Sequence, residues 1–418
     1  MSSWRIAIVT VLVVTPAVSQ TADAPAKLIS KDDAVRIALA YNQSLRANRL
    51  NVDQSKANEI TASLKPNPTI SLGADAIPIF APQTIRFDTQ IYSAGLSYTV
   101  EKGGKREKRV VVAKDNTQVA AQTVTDNERT LKFQVVQAFI NVLLAKSVLV
   151  LAKDDLANFS QEVDLNHARL VAGDLAEGDY LKLSIQKLQF EQDVSAAVLG
   201  LVQARATLRQ LLGYQSVTDD FDVKGTLAHI KASVTLDELQ TKALETRPDL
   251  QAAHTGVTLA NDTVSLAFGN RARDWTWSGD YSFQSPSQSG AGVAFSMDLP
   301  IHDRNQGEIA RSQVAVHQSM ETEASTKVGV QTDVVNAYYG LKSNEEIVDL
   351  YESGYLKQAS DSRDISTYAF QRGAATILDV LDAERSYRAT QLAYRQALAA
   401  QMIAAEQINQ AVGTQVIP

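Results

Sequence analysis

The chain has 418 residues, no cysteine and a formal net charge of −7. The missing cysteine excludes disulfides, thiolate metal sites and lipid attachment at a cysteine, and an acidic chain without a basic stripe is poorly suited to nucleic acid. Hydrophobic residues make up 45% but aromatics only 6%, with alanine abundant, which favours closely packed helices over a thick globular core.

The first 19 residues read as a secretory signal. Arg5 supplies the positive start, Ile6 to Val14 the apolar run, and Ala17-Val18-Ser19 a small-residue cleavage site before Gln20. That run is about half of the ~20 residues a membrane-spanning helix needs. No later stretch is apolar without interruption over such a length, so no transmembrane helix is expected. Crossing a membrane would then fall to a β-barrel.

Two segments next alternate at period two, about 68–76 and 90–100, with small polar residues on one face and apolar or aromatic ones on the other. That pattern suits membrane-barrel strands and equally an ordinary half-buried hairpin. Residues 77–89 between them read as an exposed loop. From about Lys105 to Val171 the texture changes. Leu131, Val135, Ala138, Val142, Ala145, Leu149, Ala152, Leu156, Phe159 and Val163 are spaced alternately by four and three. Such a seam requires long helices packed lengthwise, here about 50 residues or ~75 Å. Ala172-Gly173-Asp174 makes a turn, and a matching seam follows, with Tyr180, Leu183, Phe190, Ala197, Leu201 and Leu208. Residues 219–234 are polar, lack a period and read as a connector.

The second half repeats this order. Strands are expected at about 274–284 and 290–299, with a loop at 285–289. A seam through Val334, Ala337, Leu341, Asn344, Val348, Tyr351 and Tyr355 leads to the turn Arg372-Gly373-Ala374. Gly173, Asp179, Leu181, Ala197, Ala204, Gln210 and Gly213 meet Gly373, Asp379, Leu381, Ala397, Ala404, Gln410 and Gly413 in register. Ser30 to Ala40 likewise matches Thr235 to Glu245. The chain is therefore a tandem duplication, with repeats at 20–218 and 235–418. Four strands cannot close a barrel, for which about eight is the minimum, so spanning a membrane would take several copies.

Nothing points to catalysis. His167, His229, His254, His302 and His317 are scattered, with no two at helical ligand spacing, and no nucleophile or phosphate-loop motif occurs. The reading is a non-enzyme without cofactor or metal site, with His302-Asp303 as turn residues. Asp379 and Asp382 lie three apart just beyond a turn glycine, with Asp179 equivalent in the first repeat. On their own they are solvated acids favoured by a helix N-terminus.

Phe370-Gln-Arg-Gly-Ala-Ala-Thr-Ile-Leu-Asp-Val-Leu-Asp-Ala-Glu resembles the glycine turn and D-V-L-D-A segment of the TolC family of outer-membrane efflux proteins. The copy beginning at Arg169 is a weaker match in register. Glu101-Lys-Gly-Gly-Lys-Arg and Leu299-Pro-Ile-His-Asp-Arg-Asn-Gln-Gly resemble junction segments of that family's cobalt–zinc–cadmium, CzcC-like branch. The resemblance implies a mainly α fold with a small β part. Duplicated long helical hairpins would form a trimeric α-barrel in the periplasm, and four strands per chain a twelve-stranded barrel in the outer membrane. It implies a passive exit duct for divalent heavy-metal cations, working as a homotrimer with a periplasmic adaptor and an inner-membrane pump. Small organic drugs are the alternative cargo, and a soluble periplasmic coiled-coil scaffold is the rival from another class. The resemblance also makes Asp379, Asp382 and Asp179 a periplasmic constriction, where like charges raise one another's pKa and draw cations. Arg169, Gly173, Asp174, Arg372 and Gly373 become the adaptor-docking tip, and Trp275 and Trp277 interfacial aromatics. Where the family often has a basic residue two positions after the second glycine, this chain has Ala375.

Overall fold

The computed structural model describes residues 26–75, 90–284 and 288–417. The expected signal at 1–19 and loop at 77–89 lie outside the described residues. The first repeat contains β1 (Ala26–Ile29), α1 (Lys31–Tyr41), α2 (Gln43–Ser63), β2 (Thr69–Asp75), β3 (Ile91–Val100), α3 (Lys105–Ala172), α4 (Glu177–Leu212) and β4 (Val217–Val223). The second contains α5 (Leu236–Thr246), α6 (Pro248–Asn270), β5 (Trp275–Gln284), β6 (Gln288–Ser296), α7 (Gln306–Leu350), a π-helical turn (Tyr351–Tyr355), α8 (Leu356–Gln371) and α9 (Ile377–Val412).

Helix α3 runs for 68 residues without a glycine or proline, roughly 100 Å at 1.5 Å per residue. It outruns the ~50 residues expected because the polar stretch after Lys105 offers no breaker. Left-handed glycines flank it, Gly104 at φ 65° and Gly173 at φ 84°. Beyond its end the Asp174 N–H donates to the Arg169 carbonyl at 2.8 Å, closing the last turn. Gly373 repeats that turn at φ 74°.

The second long helix is not continuous. At Tyr351–Tyr355 it widens into a π-turn around Gly354, whose φ of 143° a residue with a Cβ rarely adopts. The extra residue rotates the seam, so Val348 is buried whereas Tyr355 is exposed. Tyr351 still packs against Val348, Ala397 and Leu398, so the seam expected through Tyr351 and Tyr355 ends at Tyr351.

Among the described residues five apolar clusters hold the helices, and three of them are the larger. Val135, Phe139 and Val142 of α3 pack with Ala34 and Ala38 of α1, Leu208 and Leu212 of α4, and Phe221 of β4. Val334 and Leu341 of α7 pack with Ala243 of α5 and Ile408 and Val412 of α9, the equivalent arrangement in the second repeat. Towards the tip, Phe159, Leu183 and Phe190 of the first repeat meet Ile377 and Val380 of the second. Phe159 and Phe190 stack with ring centroids 4.4 Å apart. One stretch of α3 is long and apolar enough to cross a membrane, contrary to the expectation that none would be. Its length within a 68-residue helix and its place in the first cluster explain the composition without a bilayer.

The expected connector at 219–234 is partly structured. β4 crosses its start and pairs in parallel with β1, Leu28 opposite Asp222 and Ile29 opposite Val223. Val217, Phe221 and Val223 are buried, and Asp222 is held by Lys146 at 2.5 Å and Arg205 at 3.0 Å. Those ion pairs allow an acidic segment to be a strand. The second sheet is antiparallel in the order β2-β3-β5-β6, so the β3–β5 ladder joins the repeats. Gln288 and Ser289 belong to β6, which stops at Ser296 rather than 299. Asp298 and Pro300 follow, and proline removes a ladder donor.

Candidate functional site

The register of the four-stranded sheet sorts most of its residues by face, with Ile91 and Ser289 at one end as exceptions. Tyr92, Leu96, Tyr98 and Val100 of β3 lie opposite Phe283, Gly279, Trp277 and Trp275 of β5. Ile70 and Leu72 continue that face on β2, and Val293 and Phe295 on β6. The other face carries Ser71, Ser93, Ser97, Thr99, Thr276, Ser278, Asp280 and Ser282. Each chain thus offers one apolar and one small, polar face. The apolar face is uncovered, with Leu72 82% and Val293 84% exposed. Trp277 packs on Phe295 at 5.0 Å, and the Lys102 ammonium sits 3.9 Å above the Trp275 ring. A lysine over the end tryptophan suits the boundary between apolar and aqueous surroundings.

The two junction motifs are built for the strand-to-helix change. In Glu101-Lys-Gly-Gly-Lys-Arg, Gly103 has φ 75° and a Cβ there would come within 2.5 Å of the Gly269 carbonyl. Glu101 is clamped by Arg109, and Lys105 reaches Asp274 at 2.8 Å. In the second motif Asn305 adopts φ 61° and its amide donates to the Ala267 carbonyl at 2.7 Å. Asp303 accepts from the Asn305 N–H at 2.8 Å, so His302-Asp303 is a turn as expected.

At the tip the two repeats differ. Thr376 caps α9: its hydroxyl accepts from the Asp379 N–H, while the Asp379 carboxylate accepts from the Thr376 N–H and hydroxyl, both at 2.7 Å. These hydrogen bonds, the side-chain one foremost, hold the Asp379 carboxyl below the usual range. Within one chain this opposes the upward shift expected of a carboxylate ring. The first repeat has Ala176 at the cap position, and Asp179 instead pairs with Lys182 at 2.9 Å. Asp382 is 79% exposed, with Arg385 3.9 Å away. It is the least engaged of the three. A Cβ on Gly173 or Gly373 would meet nothing within 4 Å, so these glycines serve the backbone turn and leave an open surface. Arg169 spans the tips, its guanidinium 5.6 Å from the Phe370 ring, whereas Arg372 stays within its own repeat over Tyr368.

Two groupings escape sequence reasoning. Asp155 and Glu162 of α3 converge with Glu384 and Arg388 of α9 and Arg363 of α8, and burial pushes the Glu384 carboxyl up to about 7. Arg388 also bonds to Asp193 of α4 and lies over the Phe190 ring. Separately, His229 comes to rest beside Asp349 and Glu352, although no metal-ligand grouping was expected. More than a hundred residues of chain separate the histidine from the two acids, so spacing gives no signal.

A sheet sorted into apolar and polar faces, set on duplicated helical hairpins, defines an integral outer-membrane protein of the strand-and-helix type. The profile of the outer membrane efflux protein family matches residues 34–214 and 239–414, one match in each repeat, and the chain belongs to that family. Its members are channel proteins rather than enzymes. The cobalt-zinc-cadmium resistance protein CzcC of Cupriavidus metallidurans is 23% identical over 386 residues, covering 92% of this chain and 90% of that one. The probable outer membrane lipoprotein SilC of Salmonella typhimurium is 24% identical over 373 residues, covering 85% and 79%. Among solved structures, CusC superposes with a TM-score of 0.77 at 19% identity, covering 95% of this chain and 96% of that one. A membrane protein from Pseudomonas aeruginosa gives 0.78 at 18% identity, covering 91% and 92%.

Proposed function

We propose that three copies of this chain close their sheets into one twelve-stranded barrel and their helices into one tunnel, forming the passive exit duct of a tripartite efflux system. The observation that carries this reading is the sheet: among the described residues, an apolar face that no other element covers, a small polar face behind it, and two edge strands, β2 and β6, without an outer partner. Lipid satisfies the first, a water-filled lumen the second, and neighbouring copies the third. A soluble scaffold would leave that face in water. Energy comes from an inner-membrane pump, with a periplasmic adaptor seated on the open tip around Arg169, Gly173, Asp174, Arg372 and Gly373. Divalent heavy-metal cations are the favoured cargo, supported by the likeness over most of the chain to a cobalt-zinc-cadmium resistance protein. Asp382, with Asp179 and Asp379, would ring the inner end of the tunnel and favour cations.

Mass measurement of the detergent-solubilised protein should return a trimer. A stable monomer with intact secondary structure would overturn the duct. Cargo is tested separately in cells that hold a metal pump and adaptor but lack their outer-membrane channel. Expressing this chain should lower accumulated zinc, cobalt or cadmium, and unchanged accumulation with normal export of organic dyes would reassign the cargo.

A further inference from the structure

The segment between the repeats passes over the π-helical turn of the second one and lays His229 against it. The His229 Nδ1 is 3.1 Å from Glu352 Oε2, and its Nε2 is 3.8 Å from Asp349 Oδ1. One donor atom from each of the three residues lies within 4.8 Å of the other two. The His229 side chain is only 13% exposed, and its Nε2 is buried without a hydrogen-bond partner. Asp349 and Glu352 stand three apart where α7 runs into the π-turn, so both face the linker. Tyr394 of α9 donates to the second oxygen of Glu352 at 2.9 Å and steadies that carboxylate. In neutral His229 one ring nitrogen keeps a lone pair that faces a carboxylate, Nδ1 towards Glu352 or Nε2 towards Asp349. A cation between them, a proton on the ring or a metal ion, reconciles the two acceptors.

We propose that His229, Asp349 and Glu352 form a divalent-cation site of the zinc or cobalt class, which fastens the inter-repeat linker to the break in the second long helix. One imidazole and two carboxylates suit these borderline ions, and three protein ligands leave a position for water. Lys231 is the built-in competitor. Its ammonium lies 3.7 Å from Asp349 Oδ1 on a side chain that is 72% exposed, so an arriving ion can displace it into solvent. The site belongs to one chain and is independent of what the duct carries.

The test uses the full chain, purified in detergent and stripped with chelator, titrated with Co²⁺ and followed by equilibrium dialysis and visible absorption. The wild type should bind one more Co²⁺ per chain than His229→Gln, with ligand-field bands that Zn²⁺ abolishes. Asp349→Asn should weaken that site at least tenfold. Lys231→Ala should tighten it several-fold, whereas a plain ion-pair cluster gains no affinity for metal from losing its lysine. Equal stoichiometry in wild type and His229→Gln would overturn the site, whatever the cargo experiment returns. Should His229→Gln fail to assemble, Lys231→Ala decides: tighter Co²⁺ binding supports the site and unchanged affinity overturns it.

Discussion

Glu384 is a carboxylate in a poor place for charge, between Asp155 and Glu162 of α3 and the guanidinium groups of Arg363 and Arg388. Burial outweighs the two arginines and pushes its pKa up to about 7 from an ordinary 4.5. The folded chain therefore holds a proton between those values that the unfolded chain has released. Its stabilising contribution is full below about pH 4.5 and is lost as pH rises through about 7. Glu384→Gln should raise stability at pH 8 by on the order of 1–2 kcal/mol, read as a higher melting temperature, change little at pH 5, and flatten the slope between. A parallel loss at both pH values would show that Glu384 acts through packing alone. Asp382 calls for a different measurement. In a planar bilayer Asp382→Asn should weaken cation preference and divalent block while leaving α9 intact, because the cap is made by Asp379. Unchanged selectivity would move the constriction elsewhere. A cap at Thr376-x-x-Asp379 was available from the spacing, although the sequence alone led to Asp379 as a solvated acid. The carboxylate and histidine groupings were not legible in the sequence, because they arise from helices far apart in the chain.

Among the elements, those with a strong period were the readable ones. The seam of α3 set out its buried face, and the alternation of β2, β3 and β5 set out their apolar face and their bounds, to within a residue or two. Elements at odds with their local chemistry were hidden. β4 carries Asp219, Asp220 and Asp222, and its ladder with β1, its buried Val217, Phe221 and Val223, and the ion pairs of Asp219 and Asp222 make it a strand. The π-turn at Gly354 interrupts a spacing that otherwise reads straight through. For the sheet, Trp277→Arg should lower trimer yield in membranes, by about 2–4 kcal/mol at mid-depth and less near the boundary. Normal yield would place β5 outside the bilayer. Gly103→Ala should impair assembly as well, because φ 75° and the nearby Gly269 carbonyl leave no room for a Cβ. Amide exchange would register the loss as faster opening at the start of α3.

For the whole molecule, the duplication makes one chain carry two hairpins, and the β3–β5 ladder ties the two repeats within one sheet. The absence of cysteine makes the proposed closure directly measurable. Paired cysteines, one scanned along β2 and one along β6, should give oxidised species that stop at three chains on denaturing gels. A ladder continuing past three would indicate open edge-to-edge association instead of a closed ring.

The bare sheet has a further consequence, in the time before assembly. A newly exported chain would cross an aqueous compartment with one face built for hydrocarbon and with both sheet margins still able to pair. Such a surface invites association with any extended chain nearby. The helices, rich in local contacts, can form early, while under the proposed closure the outer sides of β2 and β6 would gain partners only when other copies arrive. Under the proposed closure, ring formation would therefore compete with clumping during biogenesis of this protein.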